Sequence, residues 1–148
     1  MPKILLFAII TVLSCLPASS QSDDGWFTGR LFLSHLSNGD GSALQVGYTH
    51  YYNIDNHFSV GTATGVIFDD GINIPLQTEL RIRPFGKKPV TPVVMLSGGY
   101  VFGYQVATIS PRIGIESGRL RRVRYAADAG MTILGDVCAL TIGAGLLF

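Results

Sequence analysis

The sequence predicts an all-β fold in which about eight antiparallel strands close into an up-and-down barrel. Turn-forming residues recur at short intervals, and the segments between them alternate apolar and polar residues. The chain ends on Phe148, a large apolar residue of the kind that is usually paired and buried. The 18 glycines and 7 prolines suit a chain with many turns, and no segment keeps a helical period.

The first twenty residues have the pattern of a secretory signal peptide. One cation precedes a short apolar run, and the small residues Ala18 and Ser20 stand at the spacing of a cleavage site. The apolar run is too short for a membrane-spanning helix, which needs about 20 residues. We therefore expect a signal peptide at 1–20 and an exported β-barrel at 21–148.

Composition excludes several classes of protein. Without the signal peptide, basic and acidic residues balance, so no nucleic-acid partner is indicated. Cys138 is then the one remaining cysteine, which rules out an intramolecular disulfide.

The histidines His35, His50 and His57 are scattered over the predicted strands, with His35 near one rim and the other two near the opposite rim. We predict neither a metal site nor a cofactor.

Clusters of turn-forming residues divide the exported chain into segments near the length of a tilted membrane strand, about 9–11 residues. The predicted turns lie at 37–41, 53–56, 69–71, 86–89, 103–107, 117–119 and 135–136. The predicted strands cover 26–36, 43–52, 58–68, 72–85, 91–102, 108–117, 121–134 and 137–148. An even number of antiparallel strands allows the first and last strands to pair and close the barrel.

Period-two alternation gives each strand one apolar and one polar face. In the fourth strand the apolar positions are Ile72, Ile74, Leu76, Leu80 and Ile82, and the polar ones are Asn73, Gln77, Glu79, Arg81 and Arg83. The sixth strand sets Ile109, Ile113 and Ile115 against Ser110, Arg112 and Glu116. The seventh sets Val123, Tyr125, Ala127, Met131 and Ile133 against Arg122, Arg124, Asp128 and Thr132.

Three features indicate that the polar face is the inner one. Small residues crowd it, as the narrow lumen of an eight-stranded barrel requires; they are Gly47, Ser59, Gly61, Ala63, Gly65, Gly114, Gly130, Gly143 and Gly145. After cleavage, lysine occurs only at 87–88, whereas soluble sheets usually protect their faces and edges with scattered charges. Most aspartates fall in turns or in the N-terminal tail, which leaves the apolar face uncharged. We expect that apolar face to contact lipid, as in a transmembrane β-barrel.

Aromatic residues are predicted to form two girdles where such a barrel meets the lipid headgroups. One rim would hold Trp26, Phe27, Tyr51, Tyr52, Phe58, Phe85 and Phe148. The other would hold Phe68, Phe102 and Tyr104. A general preference of aromatic residues for strands explains their number but not this grouping at strand ends.

The end of the chain resembles the C-terminal β-signal of bacterial outer-membrane barrels. Its matching residues are Thr141, Gly143, Leu146 and Phe148. With the signal peptide and strand pattern, the chain resembles the small eight-stranded class that includes the OmpA transmembrane domain and OmpX. Residues 74–81 are similar to the central strand of barrels common in Bacteroidota.

The resemblance implies a location in the outer membrane of a Gram-negative bacterium, after cleavage of the signal peptide. Outer-membrane lipids and lipopolysaccharide would surround the barrel. The C-terminal strand would bind the barrel-assembly machinery. None of the presumed outer loops is long, which is a departure from the adhesins of this class and counts against an adhesive or receptor role.

Charged residues on the inner face suggest a function for the lumen. The predicted network comprises Arg30, Glu79, Arg81, Arg83, Arg112, Glu116, Arg124 and Asp128. Buried charges need partners, so these side chains would plug the barrel and give it a structural role in the envelope. An alternative is a narrow, porin-like pore with a weak preference for anions, because the network has five arginines and three acids.

Two further alternatives come from other classes. The segment His35-Leu36-Ser37-Asn38 is similar to the His-x-Ser-Asn motif of the lipid A deacylase PagL. That resemblance would make His35 the general base, Ser37 the nucleophile and Asn38 an oxyanion donor, but no acidic residue follows in 41–53 to orient the histidine. The same segment also suits a simple turn.

The second alternative is a secreted, lipocalin-like binding barrel, which needs the aliphatic face inside.

Overall fold

The computed structural model of the protein describes residues 26–86, 88–120 and 123–148. The predicted signal peptide at 1–20 lies outside these residues. Within them, no helix is long and apolar enough to cross a membrane.

In the residues that the structure describes, eight antiparallel strands form a closed barrel in which each strand pairs with its sequence neighbours and β1 pairs with β8. The strands are β1 Phe27–Ser37, β2 Ser42–Asn53, β3 Phe58–Phe68, β4 Ile72–Ile82, β5 Val90–Phe102, β6 Val106–Leu120, β7 Val123–Leu134 and β8 Val137–Leu147. The predicted strand number, direction and closure are therefore confirmed.

We name the two rims by their contents. The terminal end contains the start of β1, the end of β8 and the connections at 54–57 and 83–89. The loop end contains the connections at 38–41, 69–71, 103–105 and 135–136. His35 lies toward the loop end, and His50 and His57 lie toward the terminal end, as predicted.

Two predicted boundaries were wrong. The fourth strand ends at Ile82 and does not reach 85, and the sixth extends over Val106–Leu120. The predicted turn at 117–119 therefore lies inside β6, where the pairing with β7 shifts register between Ser117 and Leu120. A glycine in a strand can mark an irregularity of pairing as well as a turn, and here Gly118 marks the irregularity.

The seam between β1 and β8 closes the barrel. Its register runs from Arg30 opposite Leu147 to Ser37 opposite Leu140. The amide of Phe148 donates to the carbonyl of Gly29 at 3.0 Å, and the Gly29 amide donates to the Phe148 carbonyl at 2.8 Å. The last residue of the chain thus extends the pairing beyond β8.

The apolar face of the strands points outward, as predicted. Ile113 is 67% exposed and Leu76 is 49% exposed, whereas their inward-facing neighbours Arg112 and Gln77 are buried. The lipocalin-like arrangement was therefore wrong, because it requires the aliphatic side chains inside. Closure pairs the strand backbones all round the barrel, which is a condition for a sheet in a lipid bilayer.

Small inward residues let the strands approach closely. A Cβ atom added at Gly99 would clash with the Leu76 carbonyl, and one added at Gly130 would clash with the Pro111 carbonyl. The glycines on the polar face therefore allow the curvature of a narrow barrel.

Aromatic side chains surround the terminal end. Trp26 lies 5.9 Å from Tyr52 between ring centroids, and Tyr52 also contacts the Phe27 ring. The assignment of Tyr51 to this girdle was wrong, because its side chain is fully buried in the lumen. Tyr51 has the inward direction of Thr49, and its phenol finds a charged partner there.

Candidate functional site: the charged lumen

Four charged side chains meet in the barrel interior from four different strands. They are Arg30 of β1, Glu79 of β4, Arg112 of β6 and Asp128 of β7, and each is at most 6% exposed. Period-two alternation places all four on the inner face. Because β1 and β7 flank β8 and β4 lies across the barrel, contacts among them cross the lumen.

These four residues form what we call the four-charge ring, in which each arginine contacts both acids. Arg30 donates through Nη2 to Asp128 Oδ2, and its Nη1 lies 3.6 Å from Glu79 Oε1. Arg112 donates through Nη2 to Glu79 Oε2 and through Nη1 to Asp128 Oδ1 at 3.3 Å. The ring is formally neutral, and its members provide one another with the partners that buried charges require.

Other side chains support the four-charge ring. The Tyr51 hydroxyl donates to Glu79 Oε1, and the Arg30 Nη1 donates to the sulfur of Met95 at 3.2 Å. The Arg30 guanidinium also lies 5.6 Å from the centre of the Phe32 ring. Sequence reasoning missed Tyr51 and Met95 as members of this interior, although their position on the inner face could have been read from strand periodicity.

Gly143 of β8 makes room for the four-charge ring. A Cβ atom at this position would lie 3.0 Å from Asp128 Oδ1 and 2.8 Å from Ser34 Oγ. Both distances are shorter than ordinary contacts, so a larger residue would displace the aspartate. Gly143, a residue of the predicted assembly signal, is therefore also part of the lumen packing.

The other residues of that C-terminal pattern take different positions. Thr141 faces inward, where its hydroxyl lies 2.7 Å from that of Thr132. Leu146 faces outward and is 39% exposed. The Phe148 ring stacks near Tyr48, with 6.4 Å between ring centroids.

A second group of charges lies toward the terminal end and is unbalanced. Arg81 Nη1 lies 3.2 Å from Glu116 Oε1, and Arg124 Nη1 lies 4.0 Å from Glu116 Oε2. The Arg81 guanidinium also stacks over the Tyr51 ring at 4.3 Å. Among the described residues, Arg83 adds a third positive charge to this group, near Arg81, Arg124 and Glu116.

Arg83 and Arg124 use backbone oxygens of the terminal-end connections as additional partners. Arg83 donates to the Asn56 carbonyl at 3.0 Å, to the Asp55 carbonyl at 3.3 Å and to Ser59 Oγ at 2.8 Å. Arg124 donates to the Lys88 carbonyl. These bonds tie the connections at 54–57 and 83–89 to side chains of the lumen.

A small cavity borders the four-charge ring on its loop-end side. Ser110 and Thr132 hydroxyls lie 2.7 Å apart. The cavity in this region has a volume of about 10 Å³, and its walls include Ser110, Thr132 and Arg112. A cavity of that size holds about one water molecule. This cavity therefore has room for little more than one water molecule.

The His35, Ser37 and Asn38 motif lies at the loop end of β1. His35 is exposed on the outer face, while Leu36 between it and Ser37 is buried in the lumen. Asn38 Oδ1 accepts hydrogen bonds from the amides of Asp40 at 3.1 Å and Gly41 at 2.7 Å. Its side chain therefore closes the β1–β2 connection, which is the turn arrangement that the same residues also predicted.

The possible metal ligands of the part of the chain that the structure describes do not gather into a site. No cluster of three or more His, Cys, Asp or Glu side chains there could hold a metal ion. Cys138 is a free thiol on the exposed outer face.

Similar solved structures are transmembrane barrels at low sequence identity. A de novo designed transmembrane β-barrel matches with a TM-score of 0.61 at 11% identity, over 86% of this chain and 100% of that one. Neisserial surface protein A matches with a TM-score of 0.56 at 10% identity, over 82% and 94%. The solution structure of the de novo designed TMB2.3 matches with a TM-score of 0.56 at 14% identity, over 85% of this chain and 96% of that one. At these identities the similarity shows the fold.

No protein-family model and no curated protein sequence matches the chain.

Proposed function

We propose that this chain is a structural protein of the Gram-negative outer membrane whose lumen is plugged by its own side chains. The four-charge ring is the observation that carries the proposal. It joins β1, β4, β6 and β7 across the barrel with charges that balance. Ion flow would require these pairs to separate in a narrow interior, where an unpaired charge is costly.

The outer surface supports the membrane part of the proposal. Its strands present aliphatic side chains, and aromatic residues such as Trp26, Phe58 and Phe85 are exposed at the terminal end. This distribution is that of a barrel with an apolar band and interfacial aromatics. Outer-membrane lipids and lipopolysaccharide are the surroundings that we propose for it.

The finer assignments are part of the same proposal. The C-terminal strand, with Phe148 paired to Gly29, is the segment that we propose the barrel-assembly machinery binds. We place the chain with the small OmpA-transmembrane-domain and OmpX class, of a type found in Bacteroidota. We also propose that a signal peptide at 1–20 directs its export.

A narrow anion-preferring pore is the competing function, and the unbalanced terminal-end charges favour it. Among the described residues, Arg81 and Arg124 share the carboxylate of Glu116 and Arg83 adds a third positive charge, so an anion would meet a positive region there. The four-charge ring opposes passage beyond that region. Conductance decides between these two functions.

Planar-bilayer recording tests the plug. The Arg112→Ala/Asp128→Ala double variant removes one charge of each sign and so preserves the net charge while it empties half of the four-charge ring. We expect no discrete openings from the unaltered protein and measurable ion flow through the double variant. Asp136→Ala, in an exposed loop-end turn, is the control and should stay closed. Stable anion-selective openings of the unaltered protein would refute the plug and support the pore.

A further inference from the structure

A cavity at the loop end has a different chemistry from the charged lumen below it. Its volume is about 470 Å³, and it lies between the connections of the loop end. Its floor consists of apolar strand residues, and these are Leu36, Ile67, Leu134 and Ala139. We call this cavity the vestibule. A mostly apolar concave site of this size with a few polar groups is typical of small-molecule binding.

Negative charge surrounds the entrance to the vestibule. Asp40, Asp69 and Asp70 contribute to its lining, and Asp136 lies in the fourth loop-end connection. The four connections contain no Lys, Arg or His. The arginine nearest in depth, Arg112, is already paired with both acids of the four-charge ring. The entrance therefore has a net negative potential that attracts cations.

Hydrogen bonds hold the vestibule rim in shape. The Tyr104 hydroxyl donates to Asp69 Oδ2 at 2.8 Å, which joins the β5–β6 connection to the β3–β4 connection. Burial, the hydrogen bond to Asp69 and the charges of Asp69 and Asp70 together raise the pKa of Tyr104 to about 12. Asn38 closes the β1–β2 connection through its side chain. A rim that is already ordered loses less entropy when it binds a ligand.

The chemistry of floor and rim together defines one class of ligand. A bare divalent cation needs several oxygen ligands, and no three acidic side chains of the described residues lie close enough together to hold one. An anion would meet the aspartates. A molecule with a compact apolar body and one ammonium group satisfies both parts of the site, because its body covers the floor and its charge remains at the rim.

We propose that the vestibule binds a small organic ammonium compound, with its apolar body against Leu36, Ile67 and Leu134 and its charge beside Asp40, Asp69 and Asp70. This inference goes beyond the structural role of the barrel and does not depend on the plug, since the four-charge ring lies deeper in the lumen.

The test uses 1-adamantanamine as the probe and 1-adamantanol as its uncharged control of nearly the same shape. The full barrel is placed in nanodiscs of phosphatidylcholine, and backbone amide signals are followed by NMR as each compound is added. We expect the amine to shift the amides of Gly41 and Gly71 at the rim. The dissociation constant of the amine should be about tenfold lower than that of the alcohol, because both compounds have the same hydrocarbon cage and only the amine is charged.

The Asp40→Asn/Asp70→Asn double variant removes two rim charges and leaves the Tyr104–Asp69 hydrogen bond in place. It should weaken binding of the amine about tenfold and change binding of the alcohol less than twofold. Asp55→Asn, at the terminal end, is the matched control and should change neither. Equal affinity for amine and alcohol would overturn the proposal. Amine-induced shifts confined to the lipid-facing strands, with none at the rim, would also overturn it, since they would show partition into the membrane only.

Discussion

Replacement of Asp128 by asparagine tests the energetic importance of the four-charge ring. Asp128 is 4% exposed and accepts hydrogen bonds from Arg30 and Arg112. Asparagine keeps the shape but removes the charge, so Glu79 would be the one acid of the ring left to balance both arginines. Breaking a buried ion pair costs about 3–5 kcal/mol. We expect a loss of about 3 kcal/mol in the free energy of unfolding, because the asparagine oxygen still accepts one hydrogen bond and Glu79 contacts both arginines.

Guanidinium unfolding of the barrel in phospholipid vesicles measures this loss. Trp26 is the one tryptophan of the chain and lies exposed at the terminal end, so its fluorescence reports departure from the membrane. Asp136→Asn makes the same chemical change in an exposed turn and should alter stability by less than about 0.5 kcal/mol. A loss for Asp128→Asn of less than about 1 kcal/mol, indistinguishable from this control, would refute the role assigned to the ring.

Three other changes have expected outcomes. Gly143→Ala should lower the free energy of unfolding by about 1–3 kcal/mol, because the added carbon would crowd Asp128. Gly71→Ala is the control in the same unfolding assay and should be close to neutral, because no atom lies within 4 Å of the added carbon. Tyr51→Phe should cost about 1–3 kcal/mol, because Glu79 loses a buried donor; a neutral result would remove Tyr51 from the network. Ser37→Ala should leave lipid A acylation unchanged, measured by mass spectrometry of lipid A from expressing cells; a loss of deacylation would instead support the esterase alternative.

Strand number and facing could be predicted because both follow from local pattern. Ile72, Ile74 and Leu76 alternate with polar residues, and a strand places such a set on one face. The Tyr51 error came from treating aromatic residues at strand ends as one group. Its position two residues after Thr49 on the inner face was the better guide.

The pairings within the lumen could not be predicted in the same way. Alternation shows that Arg30 and Arg112 face inward, but the stagger of the strands decides which acid each one meets. Arg30 contacts Glu79, three strands away, as well as Asp128. The vestibule depends on four connections that are distant in sequence, so a local pattern could not reveal it.

The central claim is that charges face the lumen and aliphatic residues face lipid in an outer-membrane barrel. Fractionation of cells that express the full chain, followed by SDS gel migration of each fraction with and without boiling, tests this claim most directly. We predict recovery in the outer membrane and a folded band that migrates differently until it is boiled. Recovery as a soluble periplasmic protein whose migration does not depend on boiling would contradict the claim.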